Sequence, residues 1–428
     1  MNCSHNPAYS TSDSPNGDRD SALNLTATRM GKLFTPNQVL GRIHAIGCVA
    51  VEITQKCNLD CTLCYLSENS QSVRDIPIQE VYRRLDQVYA YYGAGTHVQI
   101  TGGDPTLRKH KELIKIVRYA RDIGLYPALF TNGIAASREL LTKLAQAGLC
   151  DVAFHVDTTQ RRKDGDTEIE LNKIRAEYIQ RAAGLGLHVM FNTTVHRENF
   201  EEIPALVEFF RSRAKDVGLV SFQLQAETGR GEWGRRDVII DQNTVRGQID
   251  KGAEKNLPWD AIQVGHTDCH SYLPTIVTNK NIFPLVLSKK EFSSFINDFK
   301  SIRWDRLEKR SVVLKQFLAT FIKKPKWWLK GVGYIARQSH QIGADLFKAK
   351  GRIYPLTFFV QNFMDANELD HERVHACSFM IMTAQGPVSM CEHNANRDTY
   401  ILQPISFRSK DGTTQHYDPM PRKVNLVK

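Results

Sequence analysis

The chain has 428 residues, 42% hydrophobic and 24% charged, with 56 Lys and Arg against 46 Asp and Glu for a formal net charge of +10. That composition supplies a large core and two domains, and it excludes a disordered protein. No stretch reaches the roughly eighteen consecutive apolar residues of a membrane span. No secretory leader opens the sequence, and the nine cysteines lack the close spacing of a disulfide scaffold, so the expectation is a cytoplasmic protein with reduced or metal-bound thiols.

Residues 1–34 are rich in Ser, Asn, Asp and Thr and read as a disordered or loosely attached tail, with Cys3 of no functional account. Strand-like runs then follow at Cys48 to Thr54, His97 to Thr101, Tyr126 to Thr131, Asp151 to Asp157, His188 to Val195 and Leu219 to Gln225. Amphipathic helical stretches separate them at Ile78 to Tyr92, His110 to Ile123, Ser137 to Ala147, Glu168 to Gly186 and Glu201 to Lys215, with a last one near Asn243 to Lys255. Helices between successive strands require parallel pairing with right-handed crossovers, and in such folds chemistry gathers at the carboxyl ends of the strands.

The first strand runs directly into Cys57-Asn-Leu-Asp-Cys61-Thr-Leu-Cys64, followed by Tyr65. A cubane normally takes four thiolates, one per iron, so three thiols at C-x3-C-x2-C spacing leave one iron open. A zinc site would want a fourth Cys or His nearby, and none lies between Ser67 and His97. The motif resembles the signature of radical S-adenosylmethionine (radical SAM) enzymes. The resemblance implies a partial (βα)6 TIM-type barrel over residues 35–258 and a 4Fe–4S cluster on Cys57, Cys61 and Cys64. It also implies S-adenosylmethionine chelating the fourth iron and a 5′-deoxyadenosyl radical that takes a hydrogen atom from an unactivated carbon.

The second strand ends in Gly102-Gly103-Asp104-Pro105, which resembles the GGEP motif that receives the methionyl ammonium, with Asp in place of Glu. Two glycines without Cβ atoms would let backbone carbonyls approach a ligand, and the acid adds negative charge. Taken alone the segment also reads as an ordinary turn. Asn132 and Asp157, at the ends of the third and fourth strands, and Asn192, Thr193 and Thr194 on the fifth, are expected to face the nucleoside, or to be turn formers and helix caps. The cofactor-binding set is therefore Tyr65, Gly102, Gly103, Asp104, Pro105, Asn132 and Asp157.

Leu63 stands before the third cysteine, where radical SAM enzymes usually carry an aromatic residue. That departure, with the Phe358 to Ala366 run, Leu369 to Val374 and His393-Asn394, resembles the class D radical SAM methylases and the archaeal tetraether lipid synthase. By that resemblance Cys269, Cys377 and Cys391 would hold an auxiliary 4Fe–4S cluster in a C-terminal α+β domain over 259–428. His266, Asp268, His270 or His393 could complete it, and separate buried thiols or a Cys3His zinc remain open. Cys377 and Cys391 flank a hairpin-like stretch, Ser378 to Met390, turning at Gln385-Gly386-Pro387, and Cys48 and Cys150 read as core residues.

Ser311 to Ala344, within a basic aromatic segment over 311–350, contains no acid and mixes Lys with Trp, Phe and Tyr around Pro325. It reads as an interfacial membrane helix pair or as a solvated face packed on the barrel, and nucleic acid is not expected. Together these resemblances imply a two-cluster radical SAM enzyme functionalising an unactivated carbon of a hydrophobic, lipid-like substrate by C–C bond formation or methylation. A reducing partner such as flavodoxin or ferredoxin would serve it, with peripheral contact at the inner membrane surface. The alternatives are a peptide- or cofactor-modifying radical SAM enzyme and a zinc-stabilised basic binding module.

Overall fold

The computed structural model describes residues 14–163, 165–232, 234–302, 309–409 and 411–420, with Arg310 by its backbone alone. Cys3 and the first part of the expected tail lie outside the described residues. The second part of that tail is helix α1, Arg19–Met30, whose Asp18 accepts a cap hydrogen bond from the Ser21 amide. Its buried face is Ala22, Leu23, Thr26, Arg29 and Met30, too polar a stripe to show as apolar periodicity. Thr26 Oγ1 donates to Ala45 O at 2.6 Å and Arg29 Nη1 to Cys377 O at 3.1 Å, so the helix is tied to the body of the protein rather than loose.

Six strand–helix units follow. They are β1 Cys48–Thr54, α2 Ile78–Tyr92, β2 His97–Gly102, α3 His110–Asp122, β3 Tyr126–Thr131, α4 Arg138–Gln146, β4 Asp151–His155, α5 Asn172–Ala182, β5 His188–Val195, α6 Ile203–Ser212, β6 Val217–Leu224 and α7 Gln242–Ala253. Every residue of β1 is buried, as parallel strands covered on both faces require. The helices bury single stripes against them, such as Val81, Leu85, Val88 and Tyr92 on α2. β1 to β6 pair in parallel in sequence order, the α/β partial barrel expected. The fourth strand stops at His155, two residues short of expectation, because Asp157 caps the turn that follows by accepting from the Thr159 amide.

Apart from a closing two-stranded hairpin, the described strands of the C-terminal half join the barrel sheet. That half contributes β7 His270–Thr278, β8 Asn281–Pro284, α8 Lys289–Phe299, α9 Arg310–Ile322, α10 Lys326–Lys348, β9 Tyr354–Asn362, α11 His371–His375, β10 Phe379–Thr383, β11 Gly386–Ser389, α12 Met390–Ala395 and α13 Arg397–Ile401, ending in the β12 Ile405–Arg408 and β13 Thr414–Tyr417 hairpin. β9 pairs in parallel with β6, and β10 pairs in parallel with β1. A boundary at 258/259 therefore divides one eleven-stranded sheet, of order β11-β10-β1-β2-β3-β4-β5-β6-β9-β7-β8. The physical reason is that six strands leave two open edges, and unpaired edges are covered by whatever chain is at hand. Side chains bridge the remaining seam: the His270 ring lies 5.4 Å from Phe359 and 5.0 Å from Phe379, and Ser378 Oγ is 2.5 Å from His270 Nε2.

Pro325 separates α9 from α10, as expected of a residue with no amide hydrogen. Lys324 and Lys326 pair with Asp298 of α8, and Arg337 pairs with Glu291. Leu314, Leu318, Ile322, Leu329, Val332 and Ile335 of the two helices face solvent. Among the described residues no helix is long and apolar enough to cross a membrane.

Candidate active site

Side chains pointing inward from a TIM-type barrel normally fill it. Here small residues, Ala50, Ala128 and Ala153 among them, leave a cavity of about 1070 Å³. Its walls include the first residues of β1 to β5 and also Cys57, Cys61, Cys64, Gly102, Gly103 and Asn132 beyond the strands' carboxyl ends. The bore thus runs the length of the barrel, with the three thiols at one end.

The cysteine loop is irregular and is held by its neighbours. Gly103 N donates to Thr54 O at 2.9 Å and Asp104 N to Lys56 O at 2.8 Å, while Thr62 N donates to Thr159 O. The glycine pair earns its place here in a way the sequence did not suggest. A Cβ on Gly102 would lie 1.9 Å from Thr54 O, and one on Gly103 would lie 2.0 Å from Lys56 O. The glycines admit the chain entering the cysteine loop, and Gly102 also has φ +128°.

Asp104 is buried, and its carboxylate accepts from Thr106 N, Thr131 Oγ1 and Asn132 N. It joins the ends of β2 and β3 instead of opening onto the bore, and Pro105 begins the turn behind it. Asn132 does line the bore; its Nδ2 donates to Asn58 Oδ1 at 2.7 Å and lies 3.8 Å from Cys57 Sγ. Asp157 was expected to face the nucleoside. It is fully buried, accepting from Thr159 N, Thr159 Oγ1 and Thr194 N and paired with His155 at 2.6 Å. His155, which lines the bore, is the group that Asp157 orients.

Tyr65 donates its hydroxyl hydrogen to Gly102 O at 2.6 Å, linking the triad to the glycine pair. Its ring carries the Arg397 guanidinium, 4.7 Å from the centroid. Arg397 in turn donates to Glu52 Oε1 at 2.7 Å and to Gln55. Burial alone would raise the Glu52 carboxyl, but Arg397 and the hydrogen bond from Gln55 override it and hold the pKa at about 2.

Sequence reasoning passed over residues 228–232, Thr-Gly-Arg-Gly-Glu. Arg230 N donates to Leu66 O and Glu232 N to Thr62 O, clasping the cysteine loop from the β6 side. A Cβ on Gly229 would lie 2.5 Å from Cys64 O, and Gly229 has φ +59°. The Arg230 guanidinium donates to Leu59 O and hydrogen-bonds Cys64. A Gly-x-Gly in the loop five residues past the end of β6 was the available signal.

Among the described residues no three His, Cys, Asp or Glu side chains already close around a single point. The triad still has the chemistry of a cluster site. All three thiols open on the bore, burial raises Cys57 and Cys61 above the ordinary thiol range, and Cys57 also feels Cys64 while Cys61 feels both Cys64 and Cys57. Metal coordination relieves that penalty by stabilising thiolate. In the C-terminal half, burial pushes Cys269 up to about 11 and Cys391 up to about 12, and each feels Cys377. Arg373 Nε lies 3.3 Å from Cys269 Sγ. Of this second set only Cys391 lines the bore. His270 packs in the barrel seam and His393 lies 4.0 Å from Glu52.

Residues 51–210 match the model of the Radical SAM superfamily. Among curated proteins, PqqA peptide cyclase of Bradyrhizobium diazoefficiens is 32% identical over 165 residues, 37% of this chain and 42% of that protein. Fe-coproporphyrin III synthase of Methanosarcina barkeri is 25% identical over 276 residues, 60% of this chain and 66% of that protein. The chain thus spans about two fifths of the length of the cyclases it matches. Among solved structures, Streptococcus suis SuiB bound to S-adenosylmethionine aligns with TM-score 0.39 at 15% identity, covering 47% of this chain and 45% of that one. Methylornithine synthase (PylB) aligns with TM-score 0.38 at 10% identity, covering 56% and 69%.

Proposed function

Residues 51–210 are a radical SAM domain, and on that premise we propose that the protein functionalises an unactivated carbon of a largely hydrophobic substrate held in the barrel bore. A 4Fe–4S cluster on three thiolates, with S-adenosylmethionine and one electron, supplies a 5′-deoxyadenosyl radical for hydrogen-atom abstraction. Cys57, Cys61 and Cys64 would hold that cluster. Gly102 and Gly103 would meet the methionyl end, with Tyr65 and Asp104 fixing the backbone around them, and Asn132 and His155 would meet the nucleoside.

The observation that carries the reading is the bore. It is about 1070 Å³, and residues such as Met190, Leu219, Phe359 and Ile381 line it between the cysteines and a polar far end that includes His97, Asp151 and His188. It would offer the apolar part of a substrate a place beside the radical. C–C bond formation and methylation both fit that arrangement. An auxiliary cluster on Cys269, Cys377 and Cys391 would sit where Cys391 reaches the bore. The solvent-facing apolar side of α9 and α10 supports contact with a membrane surface, although Asp298 and Glu291 already neutralise part of its charge. A flavodoxin or ferredoxin would supply the electron.

A second reading is a peptide- or cofactor-modifying enzyme, favoured by the names of the similar proteins, PqqA peptide cyclase and Fe-coproporphyrin III synthase. Anaerobic reconstitution followed by dithionite and S-adenosylmethionine tests the common core through 5′-deoxyadenosine. Sedimentation with anionic liposomes separates the two readings: binding favours the lipid, and retention of a small peptide or porphyrin without liposome binding favours the second.

A further inference from the structure

The wall of the bore formed by β5, β6 and β9 differs from the rest. Ser221 and Gln223 of β6 and Gln361 of β9 all line the cavity. Gln223 and Gln361 are register partners across the β6–β9 pair, so their side chains leave the sheet side by side. Ser221 is 3% exposed, and its hydroxyl has no hydrogen-bond partner among the described residues. Gln361 is 6% exposed. A buried hydroxyl without a partner costs free energy until something hydrogen-bonds to it, and two amides stand beside it on the same wall.

Among the described residues that line the cavity, β5, β6 and β9 contribute no Lys, Arg, Asp or Glu. Charged groups reach the cavity mostly from other elements: Glu52 is paired with Arg397, Arg19 with Asp20, and Asp151 with His97 and His188 at 3.4 Å each, while His155, paired with Asp157, stands level with Ser221 through Asn192. A carboxylate, phosphate or ammonium placed against Ser221, Gln223 and Gln361 would be desolvated with no countercharge on β6 or β9. An amide, a hydroxyl or a carbonyl would lose nothing, because glutamine side chains both donate and accept.

We propose that Ser221, Gln223 and Gln361 form a specificity wall that selects a substrate carrying a neutral hydrogen-bonding group on an apolar frame. This rests on the bore being the substrate site and narrows the substrate class: an uncharged amide, alcohol or ketone passes, and an ionised headgroup at this depth does not. Small residues across the bore, Ala50, Ala128 and Ala153, leave room for the apolar frame.

The test uses reconstituted protein with S-adenosylmethionine and no reductant, and measures calorimetric binding of octanamide, octanoate and octylammonium, which share a chain and differ in the terminal group. Octanamide is expected to bind about tenfold more tightly than either ion, since one or two neutral hydrogen bonds are worth that much. In Gln223→Met/Gln361→Met protein the preference should vanish. Gln361→Glu, which keeps shape and adds a charge, should move the preference to octylammonium and guards against misreading a folding defect. Equal binding of the three probes, binding of none, or an unchanged preference in both variants overturns the wall. Because no radical is generated, failure here leaves 5′-deoxyadenosine formation, the test of the proposed reaction, standing or falling by itself.

Discussion

The guanidinium of Arg397 lies 4.7 Å from the centre of the Tyr65 ring, so a residue near the end of the chain packs on the one that follows the third cysteine. Through the 2.7 Å contact of Arg397 with Glu52 on β1, the C-terminal half is fastened to the floor of the cysteine loop. Both charges are buried, at 3% and 5% exposure. Arg397→Ala strands the Glu52 carboxylate and is expected to cost about 3–5 kcal/mol, read as a lowered thermal midpoint under anaerobic conditions. Glu52→Gln with Arg397→Leu should recover much of the loss.

The same pair sets an acid dependence. The Glu52 pKa is held at about 2 in the fold against a usual 4.5. A depressed carboxyl contributes stability that is complete above the unfolded value and lost as pH falls through the folded one. Wild-type stability should therefore drop between about pH 4.5 and pH 2, and denaturant midpoints in Glu52→Gln protein should fall less steeply across that window.

Much of the barrel could be read directly, and the reason is local. Cys48–Thr54, Tyr126–Thr131 and His188–Val195 are runs rich in β-branched and apolar residues that give way to Gln55, Asn132 and His196, and the structure gives them those bounds. The pairing of β9 with β6 and of β10 with β1 joins segments far apart in sequence, so no periodicity announces it. The cysteine triad was legible because its spacing is itself the chemistry. The occupied carboxylates of Asp104 and Asp157 were not, since which partners a buried acid finds is a property of the assembled strand ends.

Arg230 places a positive charge against Cys64, which favours the reduced, more negative cluster. Arg230→Gln should move the cluster midpoint to more negative potential by tens of millivolts, with about 60 mV corresponding to a tenfold change for one electron. Potentiometric titration followed by electron paramagnetic resonance reads it. An unchanged midpoint would reduce Arg230 to a packing residue.

Gly229→Ala would place a Cβ 2.4 Å from the Tyr65 carbonyl carbon at a left-handed backbone position. Iron content after limiting reconstitution should fall several-fold while far-ultraviolet circular dichroism is preserved. Normal iron content would show that the clasp of residues 228–232 does not shape the cysteine loop.

Changing Cys377 and Cys391 to Ala separates the two thiol sets. S-adenosylmethionine cleavage should survive, with iron content lowered and product formation lost once a substrate is in hand. Equal loss of cleavage would argue that these thiols support the fold.

The central claim is an iron left open at Cys57, Cys61 and Cys64 for a sulfonium nucleoside. The most direct measurement is electron paramagnetic resonance of anaerobic, dithionite-reduced protein before and after adding S-adenosylmethionine. A 4Fe–4S signal that changes on addition, accompanied by 5′-deoxyadenosine and abolished in Cys64→Ala protein, is predicted. A cluster signal indifferent to the nucleoside, or no cluster signal at all, would contradict the account.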